Sequence, residues 1–212
     1  MRLVAALALA AALAAGGCVQ QGGRAVYVLV DVSGTYHRQL PKAAQAVAFI
    51  LAKARPGDAI ALAKIGSRSF SDREVIFQVR LPMRPSEANA IKVALKKRLK
   101  AFRRTPASAH TDIRGAVAQA AEWLRGMPAR ERMLVVFSDL AEDLPRDVRR
   151  SGIPMDFSGV DVYAVNVIKL RGDNRNPQRY FRRIARWREF FLAHGAKSFT
   201  KLDDPMALAR LF

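Results

Sequence analysis

Five side chains with oxygen donors only stand at places where chemistry could be done. Asp31, Ser33 and Thr35 lie in "DVSGT", where an unbroken apolar run over 26–30 stops; Thr111 lies in "ASAHTDIRGAVAQAAEWL"; Asp139 ends the apolar run "MLVVFSD". Two carboxylates and three hydroxyls are hard oxygen ligands, suited to Mg²⁺ or Mn²⁺, which tolerate waters in their remaining coordination positions. The same residues allow two other chemistries. Asp31 could be the nucleophile of a phosphotransferase, or Ser33 and Thr35 could cap the next helix, a contribution of about 1 kcal/mol.

Distant residues form a site only if the elements bring them together. Apolar runs alternate with amphipathic stretches along the chain. Strands are expected over 26–30, 59–65, 74–80, 133–137, 160–167 and 196–200, and helices over 40–54, 86–103, 111–125 and 177–194. The run over 74–80 alternates as an edge strand does. Strands and helices in this order predict a doubly wound, mostly parallel six-stranded α/β sheet with helices on both faces. In the doubly wound order 3-2-1-4-5-6 the first and fourth strands are neighbours, and ligands bind beyond their carboxyl ends. Asp31 and Asp139 follow those two strands.

At 212 residues, half of them hydrophobic, the chain suits one well-packed domain behind a leader. The leader, residues 1–17, has a basic Arg2, an apolar core and small residues before Cys18, the layout of a secretory signal peptide. "AAGGC" resembles the lipobox of bacterial lipoproteins, which implies lipidation of Cys18. Residues 18–24 then form a tether and 25–212 the domain. Cys18 is the only cysteine, so no intrachain disulfide forms.

The constellation resembles the von Willebrand factor A domain family with its metal-ion-dependent adhesion site. Asp31, Ser33 and Thr35 match the DxSxS motif, with threonine in place of the second serine; Thr111 matches the distant threonine and Asp139 the second aspartate. "RPGDAIALAKI", with Asp58 before the strand, resembles the family's entry to its second strand, and Leu140 stands where many members have glycine. The resemblance implies a Rossmann-like fold and a divalent cation, Mg²⁺ or Mn²⁺, held by Asp31, Ser33 and Thr35 with Thr111 and Asp139 completing the shell. It implies an open coordination position for a carboxylate from a partner protein. With no catalytic constellation visible, no enzymatic activity is expected, and the leader with its lipobox-like cysteine places the chain in the bacterial cell envelope, lipid-anchored and facing the periplasm or exterior.

Two other functions compete. "DVSGT" is similar to the DxDxT of haloacid-dehalogenase-type phosphatases, with Ser33 where the general acid belongs, and "LDD" at 202–204 faintly resembles their later acidic motif. The other is a structural envelope lipoprotein that docks through its basic surface. There are 36 basic against 18 acidic residues, a net charge of +18. The helical stripes Ile91, Leu95, Leu99, Phe102 and Tyr180, Ile184, Trp187, Phe191 leave Lys92, Lys96, Lys97, Lys100 and Arg103, and Arg179, Arg182, Arg183 and Arg186, on solvated basic faces. Such faces suit an anionic surface, including the membrane that a lipid would reach. Nucleic acid is disfavoured, because the aromatic residues fall on the buried stripes. There is no glycine-rich phosphate loop, nucleophile elbow or HExxH pair. His37 and His110, near Thr35 and Thr111, are read as rim residues, with nitrogen ligation favouring Zn²⁺ or Ni²⁺ as the alternative. "RGD" at 171–173 is read as a polar turn-forming loop.

Overall fold

The computed structural model describes residues 23–149 and 152–212. The signal peptide, Cys18 and all of the tether before Gly23 lie outside the described residues. Six strands, β1 (Arg24–Asp31), β2 (Ala59–Ile65), β3 (Val75–Arg80), β4 (Glu131–Phe137), β5 (Val160–Val165) and β6 (Ser198–Leu202), form one sheet in the order β3-β2-β1-β4-β5-β6. All neighbours are parallel except β3, which runs antiparallel to β2 at the edge. This is the expected doubly wound order. The expected tether gives way one residue early, since Arg24 already pairs with Glu131 and donates its backbone N–H to Asp58 Oδ1 at 2.8 Å.

Strand β1 is apolar on both faces because both faces are covered. Val26, Val28 and Val30 point into one core with helices α1 (Leu40–Lys53) and α2 (Pro85–Phe102), while Ala25, Tyr27 and Leu29 point into a second core. Helices α3 (Ile113–Gly126) and α5 (Gln178–Ala193) close that second core with Ile113, Val117, Leu124, Trp187 and Phe191. The period-2 alternation of β-branched and aromatic residues thus divides between two layers of helix. Among the described residues no helix is long and apolar enough to cross a membrane.

Two local details set the rim above the sheet. Helix α3 starts at Ile113 rather than Thr111, because Asp112 takes the N-cap position and accepts from Gly115 N at 2.9 Å and from Ser69 N at 2.7 Å. Any Cβ at position 115 would fall 2.3 Å from Asp112 Oδ2, so the cap needs glycine there. Thr111 is left in the preceding loop. The "RGD" segment forms the short helix α4 (Arg171–Arg175) instead of a turn-forming loop. Its Asp173 is buried, accepts from Leu170 N at 2.8 Å and pairs with Arg183.

Candidate metal centre

Register brings the two aspartates together. Val30 pairs with Phe137 across β1 and β4, so Asp31 and Ser138 are the next residues on adjacent strands and Asp139 follows. Asp31 and Asp139 are both fully buried. Asp31 Oδ1 accepts from Ser33 N at 2.8 Å, and Asp31 Oδ2 accepts from the Ser138 hydroxyl at 2.6 Å. Asp139 Oδ1 accepts from Ala141 N at 2.9 Å, and its Oδ2 accepts from the Thr35 hydroxyl at 2.7 Å. Ser33 Oγ lies 3.3 Å from Thr35 Oγ1. Four of the five expected residues are therefore linked directly into one cup, with Thr35 on its exposed side and Ser33 buried.

Thr111 reaches the same rim through its backbone. Its N–H donates to Asp143 O at 2.8 Å and its carbonyl accepts from Asp143 N at 3.0 Å, tying it to the loop that carries Asp139. The same segment is tied to the β1 loop, where Ser108 N donates to Val32 O and Gly34 N donates to Ser108 O. His37 and His110 both have protein partners: His37 Nε2 lies 2.7 Å from Thr105 O, and His110 Nδ1 lies 2.9 Å from Asp143 Oδ2. Both hold loops of the rim together.

Four further residues build the cup; sequence reasoning singled out Leu140 and missed this role for Ser138, Trp187 and Arg183. Ser138 donates to Asp31 while accepting from Leu140 N at 2.9 Å, so one hydroxyl joins a carboxylate to the loop beyond it. Leu140 has φ 61°, the left-handed region that a glycine would enter freely. The loop thus keeps a glycine-type shape with a leucine in it, at a cost of roughly 1–2 kcal/mol. Helix α5 holds it there: Trp187 Nε1 donates to Leu140 O at 2.9 Å, and Arg183 Nε donates to Asp139 O at 2.7 Å. The hydroxyl next to the aspartate and the departure from glycine were the available signals for Ser138 and Leu140. Arg183 gave none, looking like any other charge on a solvated face.

The donor set fits a divalent cation. Among the described residues no basic side chain pairs with Asp31 or Asp139, although each is buried and the two act on one another electrostatically. Burial, with a smaller push from Asp139, raises the Asp31 carboxyl from 3.8 to about 6 against the lowering effect of its bonds to Ser138 and Ser33. Two buried carboxylates with no basic partner among the described residues, beside the hydroxyls of Ser33, Thr35 and Ser138, make an oxygen-only set whose charge, with both ionised, would match a dication. Among the described residues no group of three or more His, Cys, Asp and Glu gathers to hold a metal ion.

Sheet order and the two helix layers match the fold of a von Willebrand factor A domain. No family model matches the sequence, and no curated protein matches it. Solved structures do. The chain is similar to a von Willebrand factor type A protein from Catenulispora acidiphila, with 15% identity, a TM-score of 0.56 and coverage of 89% of this chain and 41% of that one. It is also similar to the PilB minor pilin from Streptococcus sanguinis, with 10% identity, a TM-score of 0.54 and coverage of 90% and 60%. An aerotolerance-related membrane protein from Bacteroides fragilis gives 17% identity, a TM-score of 0.50 and coverage of 89% and 96%. The chain thus spans about two fifths of the C. acidiphila protein and three fifths of the pilin.

The raised Asp31 carboxyl makes the metal-free protein sensitive to pH. A carboxyl held above its unfolded value stabilises the fold fully below about pH 4, and that contribution is lost as pH rises through about 6. In chelator, urea unfolding should therefore show Asp31→Asn gaining on the native protein by up to about 3 kcal/mol between pH 3.5 and pH 7. A difference that stays flat with pH would contradict the burial argument.

Proposed function

We propose that this chain is an envelope-located A-type domain that captures a partner protein through a divalent cation held in the Asp31, Ser33, Thr35, Thr111 and Asp139 cup. The observation that carries this reading is the pair of buried carboxylates with no basic partner among the described residues, joined to the Ser33 and Thr35 hydroxyls. Asp31, Ser33, Thr35, Thr111 and Asp139 would hold Mg²⁺ or Mn²⁺. When bound, the ion supplies a Lewis-acidic centre that attracts a further anionic oxygen. The protein's own groups do the positioning. Ser33 N and the Ser138 hydroxyl fix the Asp31 carboxylate, Ala141 N fixes that of Asp139, and Trp187 and Arg183 keep the Leu140 loop in shape. With two carboxylates and neutral hydroxyls, the site only balances the dication, leaving it attractive to a partner's Asp or Glu.

Binding is favoured over phosphatase chemistry by Ser33. Phosphoryl transfer through an aspartate needs an acid to protonate the leaving group, and Ser33 stands where that acid belongs. Asp203 pairs with Lys201, and Asp204 caps the C-terminal 3-10 helix Pro205–Leu211. An envelope location is supported by the leader, and the structural neighbours include a minor pilin and a membrane protein. Lipidation at Cys18 would hold the domain at the membrane.

Mn²⁺ binding, followed by the electron paramagnetic resonance of the free ion, tests the site. Thr35→Ser should keep affinity within about threefold. Asp139→Ala should lose far more than about tenfold, and Ser138→Ala, which only frees an oxygen of Asp31, about tenfold. Equal affinity across all three would remove the site. Anchoring has its own test in cell fractionation: Cys18→Ala should move the protein from the membrane pellet to the soluble fraction, and an unchanged pellet would rule out a lipid at this residue.

A further inference from the structure

Beside the cup lies a hollow of about 450 Å³ that the metal site does not use. Leu140, Leu170, Trp187 and Phe190 give it an apolar part, and the arginines of α5 line the rest together with Arg114 and Glu142. Arg179, Arg182 and Arg186 stand along α5 at i, i+3 and i+7, so their side chains share one face of the helix. All three are exposed, and none forms an ion pair among the described residues. Two neighbouring arginines are already used. Arg183 is bound to Asp173 at 2.8 Å, and Arg114 lies 3.4 Å from Glu142. The apolar part is continuous with the metal rim, because Leu140 and Ala141 directly follow Asp139.

We propose that this hollow receives an acidic segment of the partner protein, with an apolar side chain on Trp187 and Phe190 and flanking carboxylates on Arg179, Arg182 and Arg186. This inference rests on the reading of the cup as a carboxylate receptor and adds what selects the partner around that carboxylate. Charge complementarity commits the occupant. Guanidinium groups that form no ion pair among the described residues suit planar carboxylates, which accept two parallel N–H donors. A row rising about 10.5 Å along a helix, at 1.5 Å per residue, matches carboxylates spaced along an extended chain. Concavity and an apolar part favour a peptide with an apolar residue over a flat anionic surface, which needs charge alone.

The test is fluorescence anisotropy of a labelled peptide of alternating aspartate and leucine, added to the purified protein in Mg²⁺ and in chelator. The double variant Arg182→Glu, Arg186→Glu should weaken binding by about tenfold or more. Lys96→Glu with Lys100→Glu on α2 changes the net charge equally and should cost less than about threefold. Equal losses in the two double variants would overturn the proposal in favour of general electrostatics. Loss in chelator with the Arg182, Arg186 variant binding normally would overturn the hollow and leave the metal reading standing. Loss in that variant with chelator without effect would support the hollow and overturn the metal reading. Failure to bind the peptide, including the case where phosphatidylglycerol vesicles bind through the same arginines, would overturn the peptide as occupant.

Discussion

Asp31 and Asp139 sit buried at the ends of neighbouring parallel strands, and no basic side chain among the described residues neutralises them. Isolated buried carboxylates are costly, so a chain that keeps two side by side must hydrogen-bond them, protonate one or bring in a cation. The structure does the first through Ser33, Ser138, Ala141 and Thr35. Burial raises Asp31 towards the second. We propose that a dication supplies the third. Much of the surrounding architecture answers this one charge problem.

The costs are met by α5. Leucine at a left-handed φ stores strain that persists only where neighbours over-determine it. Trp187 and Arg183 supply those neighbours by bonding the carbonyls of Leu140 and Asp139. Arg183 is held in turn by Asp173 of α4, so an ion pair between two helices supports a loop that neither contributes to the cup. The same helix turns Arg179, Arg182 and Arg186 outward beside that loop. One element therefore both braces the carboxylate loop and charges its surroundings.

What the sequence made legible follows from periodicity. The runs ending at Val30 and Phe137 read as strands because both of their faces are apolar, and alternation over 74–80 revealed the edge strand β3. Asp31, Ser33, Thr35 and Asp139 were visible because each interrupts or ends such a run. Thr111 was visible as a hydroxyl at the expected start of a helix, although Asp112 rather than Thr111 caps that helix. Ser138 was hidden because its role depends on the register that puts it beside Asp31. Arg183 looked solvated because its partner Asp173 sits in a segment that reads as a turn, and only packing of α4 on α5 brings them together.

The buried aspartate pair is proposed to hold a dication. Calorimetric titration of Mn²⁺ into the chelator-stripped protein at pH 7, with Asp31→Asn alongside, tests it directly. One saturable site in the native protein that disappears in the variant is the result expected. Saturable binding that survives Asp31→Asn would place the ion elsewhere. No heat and no rise in thermal unfolding temperature with Mn²⁺ would contradict the claim and leave the cup as a hydrogen-bonded cap.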